Sequence, residues 1–282
     1  MNDRPPVRQT LAHDAMATTF HLTVAHPDPL YARQAIAEAF TCLDRLESLL
    51  SRFLEGSDIF RINRLASGST TPIHPDTFDC LTIALEVQHD TAGAFDLAYA
   101  SPPSPDHRPA FELDHAAHAV RARREPLRLD LGGIAKGFAL DRMAALLNDW
   151  DITSALLCAS SSTILALNPP PDQPAWPVSI GPDRKPLRLA LANAAFSASG
   201  LAVKGNHIID PRTRQPAQTW SRCWSAAPSA ALADALSTAY MAMSEHEIRR
   251  YCAAHPHASA YALPSRSTDL IIIADRVGPH AP

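Results

Sequence analysis

Helical and strand-like spacings of apolar residues occupy separate stretches of this chain, with no regular alternation of strand and crossover helix. That segregation argues against a doubly wound parallel sheet and for an α+β fold. Asp28-Pro29 reads as an N-cap and first helical residue, and Ile36, Ala39, Phe40, Leu43, Leu46 and Leu50 then keep helical spacing to a stop near Leu50. A shorter helical pattern follows Ser57, and another runs from about Asp76 to a stop near Gly93. After the proline loop SPPSPDHRP come strand-like AFELD and HAVRARREPLRLDL, then a helix over 132–149. A second proline loop, NPPPDQPAWP, separates strands ALLCAS and TILAL from VSI, LRLAL and AAFSAS. Strands near HIID and WSAAPS, a helix pair over 229–254 with a Ser244–Glu247 capping box, and strands near SAYAL and DLIII complete the chain.

Composition limits the function classes. The chain has 282 residues, 46% hydrophobic and 19% charged, with a net charge of -4. It is too apolar for disorder and too balanced for general nucleic-acid binding. The cysteines, Cys42, Cys80, Cys158, Cys223 and Cys252, are odd in number and lack a C-x-x-C pair, which argues against a disulfide framework or a structural zinc. The N-terminus offers no apolar run of signal-peptide length, and no stretch approaches the ~18 apolar residues of a membrane span. The sequence therefore predicts a cytoplasmic protein without membrane insertion. Glycine is scarce, 10 residues against 25 prolines, so the clustering of Gly132, Gly133 and Gly137 marks a place where backbone approaches something closely. Only three lysines exist, and Lys136 lies within that cluster.

Four segments carry candidate chemistry. In Leu129-Asp130-Leu131-Gly132-Gly133-Ile134-Ala135-Lys136-Gly137, a strand ends in an acid, glycines open a helix and a lysine follows. Bared N–H groups at a helix start, reinforced by an ammonium, suit an anion; the same residues suit a tight turn with a solvated lysine. A lysine so placed is expected to serve the ligand more than the fold. Asp234 and Thr238 are four apart, so on a helix their oxygens share a face and suit a hard cation such as magnesium; both residue types are also common helix caps. Asn206-His207-Ile208-Ile209-Asp210-Pro211 reads as a strand running into a turn, and Ala92-Gly93-Ala94-Phe95-Asp96 as small residues admitting an aromatic and an acid.

These segments in this order, with Met16-Ala17-Thr18 before them and Ser57-Asp58-Ile59-Phe60-Arg61-Ile62-Asn63 between, resemble the ApbE family of FAD:protein FMN transferases over about residues 14–245. The resemblance implies an ApbE-like (T-fold-like) α+β architecture of mixed or antiparallel sheets packed with helices. It would form a single two-lobed domain over 1–282, with 1–13 a flexible N-terminus. It implies magnesium-dependent transfer of FMN from FAD, the substrate, onto a threonine or serine hydroxyl of an acceptor protein, releasing AMP. The protein would be a monomer or homodimer. Asp234, Thr238 and the main-chain carbonyl of Gly133 match the magnesium positions. Met16, Phe53, Ala94, Phe95, Asp96, Asp130, Lys136 and Ile208 match flavin-contact positions, and His207 is the proton acceptor, with Asp130, Asp96 or a phosphate oxygen as alternatives.

The chain departs from the family pattern in several places. Phe53 stands where tyrosine is usual, Ala159-Ser160-Ser161-Ser162-Thr163 where a double glycine and an acid are usual, Ala198 where threonine is usual, and Arg214 where glycine is usual. Those changes motivate an alternative, a flavin-binding relative without transfer, or one that hydrolyses FAD to FMN and AMP.

Overall fold

The computed structural model describes residues 5–103, 109–182, 186–201 and 208–277. In chain order, β1 (Val7–Ala15) and β2 (Thr18–His26) form a hairpin, followed by α1 (Pro29–Leu50) and α2 (Asp58–Ile62). β3 (Thr70–Pro72), α3 (Pro75–Asp90), β4 (Phe111–Asp114), β5 (Ala119–Ala122) and α4 (Ala135–Asp149) come next. Then follow β6 (Ala155–Ala159), β7 (Thr163–Ala166), β8 (Trp176–Ile180), β9 (Leu187–Leu191), β10 (Ala194–Gly200), β11 (Ile209–Asp210) and β12 (Gln215–Pro216). β13 (Trp220–Ala227), α5 (Ala230–Ala242), α6 (Glu245–Ala254), β14 (Ser259–Pro264) and β15 (Ile271–Ala274) complete the order.

Eight strands make one open sheet in the order β1-β2-β6-β7-β10-β13-β14-β15, each named neighbour antiparallel to the next. The α+β expectation holds, and among the described residues six helices pack with predominantly antiparallel sheets. The sheet is covered on both faces. On one, Phe20, Leu22, Leu157 and Ala195 join Leu43 of α1, Leu140 of α4 and Leu236 of α5 in the larger core. On the other, Phe196, Trp224 and Tyr261 meet Trp176, Val178 and Leu189 of the β8–β9 hairpin. Each fully buried Leu or Phe contributes about 1.5–3 kcal/mol relative to exposure. The period of two explains the division: Ala195 and Phe196 are sequence neighbours that face opposite cores.

Local signals set several boundaries. The Asp28 carboxylate accepts from the Leu30 and Tyr31 N–H groups at 2.9 and 3.1 Å, starting α1. Ser244 and Glu247 close the capping box of α6.

Two expectations are corrected. The N-terminus read as flexible up to residue 13 is strand from Val7 onward, paired residue for residue with β2, because its polar alternating side chains suit an edge strand with one wet face. Leu127–Leu131, read as strand, is irregular: Leu129 N–H donates to Asn63 Oδ1 at 2.6 Å and Asn63 Nδ2 donates back to the Leu129 carbonyl at 3.1 Å. A side chain there replaces a neighbouring strand. Among the described residues, no helix is long and apolar enough to cross a membrane.

Candidate active site

The site is built on a crossing of α4 and α5. The N-cap of α4, Ile134, has no side chain able to cap the first turn. Asp234, one turn into α5, caps it instead: its Oδ2 accepts the Gly137 N–H at 3.2 Å. The exchange is reciprocal, since Asp141 on α4 accepts the Ala230 and Ala231 N–H groups of α5 at 2.7 and 2.8 Å. Burial raises the Asp141 carboxyl from its ordinary value to about 6, against the pull of those two donors. Gly137 permits the approach: a Cβ there would lie 2.0 Å from the Ala230 carbonyl oxygen. For this glycine the close neighbour is another helix, not a ligand.

Asp234 is 2% exposed and accepts from four donor groups, of which the Gly137 N–H is one. Lys136 Nζ lies 3.3 Å from Oδ2 and 3.5 Å from Oδ1, and also donates to the Gly132 carbonyl at 3.1 Å. Ser197 and Thr163 Oγ atoms lie 3.1 and 3.3 Å from Oδ1. The lysine expected to serve the ligand more than the fold thus also neutralises a buried carboxylate. One turn along α5, Thr238 Oγ1 is 3.0 Å from Ser199 Oγ, which is 2.9 Å from Ser237 Oγ. A Cβ on Gly133 would stand 3.0 Å from Thr238 Oγ1 and 3.3 Å from the Phe95 ring. Asp234, Thr238, Gly133 and Lys136, chosen from sequence, therefore converge.

The donors are hydroxyl, carboxylate and carbonyl oxygens, and among the described residues no group of three or more His, Cys, Asp and Glu could hold a metal ion. Such a sparse, hard oxygen set fits magnesium, which keeps waters and recruits phosphate oxygens, and does not fit zinc.

The remaining predicted residues surround this core. Phe95 and Ala94 are buried. The Asp130 N–H donates to the Leu97 carbonyl at 2.9 Å, tying the Ala94–Asp96 segment to the glycine turn. The Asp130 carboxylate accepts the Gly132 N–H at 2.9 Å and faces Arg52 at 3.3 Å. Arg52 lies over the ring of Phe53, which is 75% exposed. Burial raises the Asp96 carboxyl, opposed by the Ala98 N–H and by Arg124 and Arg214. Met16 lies in the β1–β2 turn at φ 50° with Ala17 at 58°, and its N–H donates to Glu47. Ile208 is buried, its carbonyl accepting from Ala217. His207 lies outside the described residues. Ser197, Thr163 and Ser199 were not read from sequence as site residues. The available signal was the 197/199 alternation, which places both hydroxyls on the sheet face toward α5.

A model of the ApbE family matches residues 16–262. The chain belongs to the ApbE family. It is 29% identical over 254 residues to the FAD:protein FMN transferase of Treponema pallidum (strain Nichols), covering 73% of this chain and 70% of that protein. To the FAD:protein FMN transferase of Salmonella typhimurium it is 23% identical over 250 residues, covering 75% and 71%. The flavin transferase ApbE from Vibrio cholerae superposes with a TM-score of 0.84 at 19% identity, over 97% of this chain and 98% of that one. The apo form of Pseudomonas stutzeri flavinyl transferase ApbE gives 0.84 at 19%, over 98% and 97%. At those identities the superpositions are statements about the ApbE fold.

Two departures from the ApbE pattern keep a glycine-like backbone without glycine. Ser160 and Arg214 adopt φ of 52° and 61°, a region costly for residues with a Cβ. Arg214 Nη1 additionally donates to the Ser101 carbonyl at 3.1 Å. A shallow depression of about 320 Å³ lined by Arg249, Cys252 and Arg276 shares no residue with this cluster.

Proposed function

We propose that this chain is a magnesium-dependent FAD:protein FMN transferase, moving FMN from FAD onto a threonine or serine hydroxyl of an acceptor protein and releasing AMP. The observation that carries the reading is the convergence of Asp234, Thr238 and Gly133 with Lys136 at the start of α4. The FAD:protein FMN transferases of Treponema pallidum and Salmonella typhimurium lend it support.

In the reaction, the acceptor hydroxyl oxygen forms a bond to the FMN-side phosphorus, and the bond from that phosphorus to the bridging oxygen breaks. AMP leaves with that oxygen. Lys136 offsets phosphate charge, and Phe95 and Phe53 border the flavin. Asp234, Thr238 and the Gly133 carbonyl would hold the magnesium, which neutralises pyrophosphate charge when bound. The hydroxyl proton passes to His207 in this reading, with Asp96 and Asp130 as the carboxylates able to replace it. Burial raises the Asp96 carboxyl, which makes it a stronger base than a carboxylate in water.

The test is incubation of the purified protein with FAD, magnesium chloride and a threonine-containing acceptor. The expected result is acceptor carrying the mass of FMN, lost in Asp234→Ala. Free FMN and AMP with an unmodified acceptor would overturn transfer in favour of hydrolysis, and bound flavin without turnover would reduce the chain to a binding protein.

A further inference from the structure

The Asp234 carboxylate rests on two hydroxyls from neighbouring strands. Thr163 on β7 and Ser197 on β10 are direct partners in the antiparallel register, both fully buried, with Oγ atoms 3.0 Å apart. Both point to the same oxygen, Asp234 Oδ1, at 3.3 and 3.1 Å. Each hydroxyl has one proton. Ser197 also has the Ser162 carbonyl at 3.2 Å, and Ser237 Oγ lies 3.5 Å from Ser197 Oγ. With one proton each, Thr163 can donate to Ser197 while Ser197 donates to Oδ1, or Ser197 can donate to the Ser162 carbonyl while Thr163 donates to Oδ1. Oδ2 is held by the Gly137 N–H and by Lys136 Nζ, which also reaches Oδ1 at 3.5 Å. The carboxylate is thus fixed at both oxygens, by a helix start on one side and by the sheet on the other. In a buried site, such outer partners set the orientation of a ligating group.

We propose that Thr163 and Ser197 are positioning residues that orient Asp234 for the divalent cation. The inference rests on the reading of Asp234 as a metal ligand. Neither hydroxyl ligates; they fix the rotation of the carboxylate plane relative to Thr238 and Gly133, so their removal should weaken the cation more than the fold.

The experiment measures Mn2+ affinity of the full chain by electron paramagnetic resonance of free Mn2+, together with the Tm of the metal-free protein. Thr163→Val keeps shape and removes the hydroxyl; Thr163→Ser returns it; Ser197→Ala removes its partner. Loss of outer-shell partners typically lowers metal affinity about 10–100-fold. Thr163→Val with Ser197→Ala is expected in that range, with Thr163→Ser within about threefold of wild type, by the same measure. If the double variant does not fold, Thr163→Val alone carries the comparison against Thr163→Ser. Wild-type affinity in the hydroxyl-free variants would overturn the positioning role while leaving the metal site intact. Absence of Mn2+ binding by the wild-type chain would overturn the metal reading and the inference with it.

Discussion

Replacing Gly137 with alanine probes the helix crossing on which the site stands. In an unobstructed helix the exchange favours alanine by about 0.8–1.0 kcal/mol. Here the new Cβ would stand 2.0 Å from the Ala230 carbonyl oxygen, 2.4 Å from its carbon and 2.8 Å from the Ala231 nitrogen. A carbon–oxygen contact needs about 3.3 Å, so the helices must part by more than ~1 Å. Overpacking typically costs about 1–3 kcal/mol, and more where rigid atoms oppose it. The obstacle is backbone, pinned by the Asp141 carboxylate, and displacing it also weakens a cap worth ~1 kcal/mol. The expected net loss is about 3 kcal/mol, lowering Tm by roughly 5–10 °C. Calorimetry and urea unfolding followed by circular dichroism measure it. Gly56→Ala, whose Cβ meets nothing within 4 Å, serves as the control and should stay within about 0.5 kcal/mol. A Gly137→Ala protein melting at or above wild type would refute the crossing as drawn.

Three further outcomes can be checked. Because burial raises the Asp141 carboxyl to about 6 in the fold, the folded state holds this proton to higher pH than the unfolded chain does. Its charging then opposes folding between about pH 4 and 6, and stability relative to Asp141→Asn should fall by about 2–3 kcal/mol across that window; a rise in urea midpoint would contradict the sign. Lys136→Met should weaken FAD binding about tenfold and, because it strips a cation from buried Asp234, cost the FAD-free fold about 1–3 kcal/mol; unchanged flavin affinity in a fluorescence titration would count against it. Ser160→Gly relieves a left-handed serine at about 1–2 kcal/mol, less the greater chain entropy of glycine, for a net gain of about 0.5–1 kcal/mol, whereas Ser160→Val should be less stable than wild type in urea.

The helices were legible because their signals are local. Apolar spacing and the Asp28-Pro29 start mark α1, and Ser244 with Glu247 marks α6. The β1–β2 hairpin was not legible, since its turn is Met16-Ala17 where Asn-Gly or Asp-Gly would announce a two-residue loop. Glycine scarcity pointed correctly to close approach, yet it could not distinguish the Thr238 and Phe95 side chains beside Gly133 from the α5 backbone beside Gly137. Asp234 and Thr238 were visible because i and i+4 share a helix face. Thr163 and Ser197 were hidden because their meeting depends on the register between β7 and β10, which neither strand encodes alone.

The order of strands across the large sheet has a consequence for synthesis. From β1 to β15 the neighbours follow the order of the chain, so each strand leaving the ribosome can add to an edge already formed, and none must insert between two paired strands. The cluster around Asp234 does not share that convenience. Lys136 precedes Asp234 by 98 residues, which at about 5–20 residues per second is a delay of roughly 5–20 s. For that interval α4 begins without the carboxylate that caps it, and the growing chain has a sheet before it has a site.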